Sequence, residues 1–297
     1  MIHDSNLPAD LASWTSTLVK QYSLRAGARL GQHFLIDRKV LTDIISAAAL
    51  DLSLPVLEVG GGFGVLTLAL LEAGAQVTVV ELDKKLAGAL TKLANFSTQL
   101  KVVEGDVIKL RDVDITQQLG GHEFNIVANL PYEISGVFLR RFLSGRLRPR
   151  SLTLLLQREV GERLTARPGA MSLLSLLAAI ACHKSEVVRL VPPSAFWPKP
   201  RVTSCLVRLE LRDEAERAQI LHGVAEARLW QLARIGFAAR RKLLKNNLAS
   251  ALSHSTLELS TVFVAAHIVP TARAQELSLN QWVELAQALD QLSSAKP

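Results

Sequence analysis

The sequence predicts an α/β protein, a doubly wound sheet with a small helical domain behind it. Three observations predict this. From residue 56 to about residue 210, short runs of Val, Leu and Ile alternate with helical stretches. Those runs are continuous rather than period-two, as in strands buried on both faces of a parallel sheet covered by helices. After Leu211 the strand signals stop, and residues 212–290 read as helices rich in Ala, Leu, Glu, Arg and Gln.

In chain order, residues 8–50 read as additional helices, broken around RAGARLGQHFLID. The strands are PVLEVG (55–60), AQVTVVELD (75–83), LKVVEGD (100–106), FNIVANL (124–130), SLTLLLQ (151–157), SEVVRLVP (185–192) and TSCLVRLEL (203–211). The helix after the first of them reads as amphipathic and ends near Gly74. RDEAER (212–217) reads as a charged linker. The expected division is 1–211, with an N-terminal helical extension over 1–50, and 212–297.

A net charge of +7 over 297 residues raises the odds of a polyanionic partner, although a merely soluble basic protein has the same balance. No apolar run reaches the roughly 18 to 20 residues of a membrane helix, and the N-terminus lacks the basic start and apolar core of a secretory signal. The expectation is a cytoplasmic monomer. Cys182 and Cys205, the two cysteines, fit neither a disulfide framework nor a zinc site and read as core residues; no metal is expected.

VLEVGGGFGVLTLALLEAG sets Gly60, Gly61, Gly62 and Gly64 between a strand and a helix. Such a turn lets backbone amides at a helix N-terminus approach a ligand closely. Three successive strand ends carry acids: Glu58 beside the glycines, Glu81 where nucleotide-binding folds keep an acid for ribose hydroxyls, and Asp106. A tight turn with solvated acids is the plain alternative; the conjunction favours a nucleoside-type cofactor. Val65 stands where a dinucleotide fingerprint needs its last glycine, which disfavours NAD(P) and leaves S-adenosylmethionine as the better candidate.

At the end of the fourth strand, Asn129-Leu130-Pro131-Tyr132 stops an apolar run with an amide, a rigid ring and an aromatic. An adenine exocyclic amine is a poor nucleophile, because its lone pair is delocalised into the ring. Acceptors aimed at its protons help that lone pair turn toward an electrophilic methyl. The Asn129 side-chain oxygen and the Leu130 carbonyl offer two such acceptors, Pro131 stiffens them, and Tyr132 offers a face for stacking. The plain alternative is an ordinary turn with Tyr132 in the core.

GQHFLID (31–37), EVGGGFGVLT (58–67), VVEGDV, VANLPYEIS, PPSAFWPKPRVTSCLVRLE (192–210) and FAARRKLLKNNL (237–248), in that order, resemble the ribosomal RNA adenine N6,N6-dimethyltransferases, over about residues 20–290. Within them the chain looks most like the branch acting on 16S rRNA of the small ribosomal subunit. The resemblance implies a Rossmann-like S-adenosylmethionine-dependent methyltransferase sheet and a helical RNA-binding domain. It implies four methyl transfers to two adjacent adenosines in the loop of the 3′-terminal helix. It puts Gln32 and Phe34 beside the cofactor, and Glu58 and the Gly60–Gly64 backbone around its methionine end. Glu81 falls to the ribose hydroxyls, Asp106 to the adenine amine, Asn129 to the reacting methyl, and Phe196 to holding the target base against Tyr132. The chain departs from the family at Gly61, where a Pro is usual, after Pro168-Gly169, where a Lys and a Tyr-Gly pair are usual, and at Leu243, where Thr is common.

Arg234, Arg241 and Lys245 are spaced to share one helix face, with Arg240 and Lys242 broadening the charge. Each of the five is a candidate RNA contact, as is the Arg140–Arg150 cluster; a solvated face is the alternative for both. Competing readings are a large-subunit relative that confers antibiotic resistance, a non-catalytic assembly factor and, weakest, an NAD(P) oxidoreductase.

Overall fold

The structure, a computed structural model, describes residues 7–23, 32–121, 123–252 and 255–294. The part of the predicted break on residues 24–31, Gly31 included, lies outside them, as do residues 295–297 of the tail.

Among the described residues there are nine strands: β1 (Phe34–Leu35), β2 (Val56–Val59), β3 (Val77–Glu81), β4 (Leu100–Glu104), β5 (Asn125–Asn129), β6 (Ser151–Gln157), β7 (Cys182–Val191), β8 (Phe196–Trp197) and β9 (Ser204–Leu211). Seven form one sheet in the order β4-β3-β2-β5-β6-β9-β7. The first five run parallel, and β9 enters antiparallel to β6, with Ser151 opposite Glu210. The sheet is therefore mixed, where continuous apolar runs alone predict parallel strands. β1 and β8 form a separate antiparallel pair, Phe34 opposite Trp197.

The chain divides into two compact units, Met1–Gly161 with Lys184–Leu211, and Glu162–His183 with Arg212–Pro297. The sequence boundary at Leu211 misses the second unit's earlier piece. Met171, Leu176 and Ile180 of that piece pack in the helical unit's own core with Trp282, Phe263 and Leu248. RDEAER is not a linker: Asp213 and Glu216 form a capping box that starts the helix Glu214–Ile220, and Arg217 is buried against Glu226 at 2.6 Å. Among the described residues no helix is long and apolar enough to cross a membrane.

In the sheet unit, strand ends and helix starts converge. Gly60 N–H donates to the Val80 carbonyl and Gly105 N–H to the Glu81 carbonyl, both at 2.9 Å, carrying the ladder past the strand ends. The helix Val65–Glu72 that follows is buried over Val65–Leu70, not amphipathic as predicted, because it packs under the sheet. Gly64, its N-cap, has φ +91°, open only to glycine at low cost. Asp83 caps the helix Lys84–Ala94, accepting from Lys85 N–H at 2.8 Å.

Gly61 is required by packing. A Cβ there would lie 2.6 Å from Val79 Cγ1 and 3.0 Å from Leu90 Cδ1, both in the core. Gly61→Ala should therefore cost about 1–3 kcal/mol of unfolding free energy by overpacking. Denaturant titration checks this, and an unchanged midpoint would show that the core yields.

Candidate active site

A cavity of about 370 Å³ opens along the carboxyl ends of β2, β3, β4 and β5, the edge at which open α/β sheets bind ligands. Gln32, Phe34, Gly60, Gly62, Glu81, Asp106, Asn129, Leu130, Pro131 and Tyr132 all line it, so ten residues singled out in the sequence meet in one place. Leu82, Leu86, Val107 and Ile108 add apolar wall. Glu58 and Phe196 do not line it.

The glycine loop is held by an acid. Glu81 Oε2 accepts from Gly62 N–H and Oε1 from Asp83 N–H, each at 2.9 Å. One carboxylate thus ties the loop to the next helix, and each oxygen keeps a second acceptor site. Burial nevertheless raises its pKa, with the Asp83, Gly62 and Leu82 amides opposing and the Asp83 charge adding to the rise. Phe34 faces the loop closely: a Cβ on Gly62, which has φ +58°, would touch the Phe34 ring at 3.3 Å. Asp106 accepts from Ile108 N–H at 2.9 Å and lies 3.7 Å from Lys109.

Asn129 is the last residue of β5, where Asn129 pairs with Leu155 of β6. Its Nδ2 donates to the His33 carbonyl at 2.9 Å. A carbonyl only accepts, so the amide nitrogen must face His33, and Oδ1 is left without a hydrogen bond from any described residue. Leu130 donates its N–H to the Leu155 carbonyl at 3.3 Å. Tyr132 is half-buried, its hydroxyl 2.8 Å from Ser204 Oγ and its ring 5.4 Å from the His33 ring. The core placement considered for Tyr132 is thus replaced by a wall of the cavity.

Phe196 differs from the sequence expectation. It is 1% exposed and packs in the core. Within β8 alternate residues face opposite ways, and burial falls to Phe196 while Trp197 is only partly covered. His33, which falls in the GQHFLID match, also lines the cavity, and its contacts to Asn129, Tyr132 and Pro198 are long-range and carry no local sequence pattern.

Glu58 sits behind the loop rather than against a ligand. It is 1% exposed and accepts from Thr67 Oγ1 at 2.7 Å. Burial pushes its carboxyl from an ordinary 4.5 up to about 8, against the Thr67 hydrogen bond and with a further push from the Glu81 charge. The folded protein then holds a proton that the unfolded chain releases near pH 4.5. Stability should fall as pH rises from about 4.5 to about 8, and Glu58→Gln should flatten that fall. Urea midpoints across the window check it; equal slopes for the two proteins would contradict it.

In the helical unit the expected single basic face is interrupted. The helix Glu226–Phe237 stops before a turn, and a new helix, Leu244–Leu252, begins. Asn247 Nδ2 donates to the Gly236 carbonyl at 2.8 Å and to the Ala239 carbonyl at 3.3 Å, capturing the end of the first helix. Arg234 therefore lies on one helix, Arg240, Arg241 and Lys242 in the turn, and Lys245 on the next. All but Lys245 are exposed, Lys245 is half-buried, and none of the five has an acidic partner among the described residues. The Arg140–Arg150 cluster is partly internal: Arg141 binds the Val107 and Leu110 carbonyls and Asp112, Arg148 the Gly145 carbonyl, and Arg150 pairs with Asp51.

Residues 24–291 match the family described as ribosomal RNA adenine dimethylase. The chain is 38% identical over 275 residues to ribosomal RNA small subunit methyltransferase A of Dehalococcoides mccartyi, covering 93% of this chain and 92% of that one. A protein of the same name from Picosynechococcus is 36% identical, over 90% and 98%. Among solved structures, the 23S rRNA methyltransferase ErmE superposes with a TM-score of 0.67 at 25% identity, over 86% of this chain and 99% of that one. The strand-end cavity with its acids and its terminal asparagine, together with a match over nearly the whole chain, leads to one conclusion: the chain belongs to the ribosomal RNA adenine dimethylase family.

Proposed function

We propose that this protein methylates the N6 amines of two adjacent adenosines in the loop of the 3′-terminal helix of 16S rRNA in the small ribosomal subunit, giving N6,N6-dimethyladenosine. The observation that carries the chemistry is the free Oδ1 of Asn129 at the mouth of β5, with Tyr132 beside it. The small-subunit substrate is supported by the names of relatives at 36–38% identity, against 25% for the 23S enzyme.

The cavity fits S-adenosylmethionine. A loop with Gly60 at φ +73° and Gly62 at φ +58° leaves backbone where side chains would stand, and acids flank apolar wall suited to an adenosine. When bound, this cofactor supplies an electrophilic methyl on a sulfonium sulfur. Glu81 would hold the ribose hydroxyls with its remaining acceptor sites, Asp106 the adenine amine, and Gln32, Phe34 and the glycine backbone the methionine side. Asn129 Oδ1 and the Leu130 carbonyl accept from the protons of the target amine and turn its lone pair toward the methyl. Tyr132 supports the extruded base by stacking. Positioning of this kind is worth roughly 7 to 11 kcal/mol in well-oriented reactions. The amine's proton leaves after transfer, when the nitrogen is positively charged and acidic.

Arg234, Arg240, Arg241, Lys242 and Lys245 supply phosphate contacts, giving affinity by charge while the fold of the RNA is read by shape. The substrate sets the compartment as the cytoplasm.

Asn129→Ala should lower turnover about a hundredfold or more while binding of labelled S-adenosylmethionine persists. Full activity of that variant would end the assignment. Neutralising Arg241 and Lys245 together should lower the slope of log affinity against log salt by roughly 1 to 2; an unchanged slope would return these residues to a solvated surface.

A further inference from the structure

His33 makes three contacts with two distant stretches of the chain, residues 129–132 and Pro198. Its carbonyl accepts from Asn129 Nδ2 at 2.9 Å, its ring lies 5.4 Å from the Tyr132 ring at a tilt of 35°, and its Nδ1 is 2.7 Å from the Pro198 carbonyl. Because the Pro198 oxygen can only accept, Nδ1 carries the proton and donates. One residue thus touches both the amide and the ring offered to the target adenine, and its imidazole is tied through one side-chain hydrogen bond.

That donor closes a short ladder. The β1–β8 pair has two residues a side, and its register brings Pro198 opposite His33 as the next step. Proline has no N–H for a ladder. The imidazole bond to the Pro198 carbonyl ties the two segments at the end facing the cavity, while Ile36 N–H to the Ala195 carbonyl, at 2.8 Å, ties the other.

We propose that His33 is a positioning residue for methyl transfer, whose δ-nitrogen donor to Pro198 keeps the Asn129 amide and the Tyr132 ring in their working orientation. The inference rests on the methyl-transfer reading of the cavity. It assigns the δ donor, rather than ring size or charge, as the operative feature. Asparagine places an N–H donor at nearly the same point from the backbone; glutamine places it one bond further out, and alanine has none.

The test compares the full-length wild type with His33→Ala, His33→Asn and His33→Gln on undermethylated small subunits, with thermal melts to confirm folding. Expected are kcat losses of roughly ten- to a hundredfold for His33→Ala and His33→Gln, a much smaller change in S-adenosylmethionine affinity, and restoration of most turnover by His33→Asn. In parallel, NMR hydrogen exchange of the Asn129 side-chain amide, assigned by its loss in Asn129→Ala, should speed up in the Ala and Gln variants and stay near wild type in His33→Asn. Undiminished kcat in His33→Ala, equal rescue by Gln and Asn, or amide exchange indifferent to all three would overturn the proposal. A wild type that fails to methylate the subunit contradicts the functional reading instead, and the exchange measurement still decides the role of His33.

Discussion

A side-chain amide has one donating end and one accepting end, and in Asn129 the donating end is held by the His33 carbonyl. The rest of the site depends on that constraint. It leaves Oδ1 as an acceptor directed away from the protein's own hydrogen bonds, at the point where β5 stops beside the cavity. An acceptor is what an adenine amine needs, since the amine brings two donors and a lone pair tied into the ring. Sheet register makes the arrangement reproducible: β5 lies between β2 and β6, and the strand cannot slip without moving its apolar residues off the core.

A second constraint acts from the other side of the cavity. Glu81 bonds the glycine loop and the following helix together through its two oxygens, and beneath it Glu58 is buried as a neutral acid against Thr67. A buried carboxyl is tolerated there because its hydrogen bond and its proton remove most of the cost of burying a charge. The two acids, on neighbouring strands of the sheet, thereby take different work: one supports the loop from below, and the other presents acceptors to the cavity. Gly61 belongs to the same packing. Val79 and Leu90 fill the space beside Gly61, so the core itself holds this part of the loop.

Much of this was legible in the sequence. Seven strands were readable because each is a continuous apolar run ending at a polar or glycine punctuation; eight of the ten cavity residues followed because strand ends in this fold converge on one edge, and Gln32 and Phe34 only from the resemblance of GQHFLID to the family. The remainder depends on contacts that composition does not encode. β1 and β8 are two residues long, too short for any periodicity. The antiparallel entry of β9 leaves no mark on a strand buried on both faces. The break between the helices at 226–237 and 244–252 has no proline or glycine in its turn; it is stabilised by Asn247 reaching back to Gly236 and Ala239. The apolar stretch over 173–181 could serve either core, and only Met171, Leu176 and Ile180 packing with Trp282 decides for the helical unit. Phe196 and Glu58 turn inward for the same kind of reason, since which way a residue faces near a strand end is set by its neighbours in space.

The most direct measurement of the central claim is to incubate the purified protein with labelled S-adenosylmethionine and separate, undermethylated small and large ribosomal subunits, and to map the product nucleosides by mass spectrometry. The account predicts N6,N6-dimethyladenosine at two adjacent positions near the 3′ end of the small-subunit RNA. Label confined to the large subunit, or no label while the cofactor still binds, would contradict it.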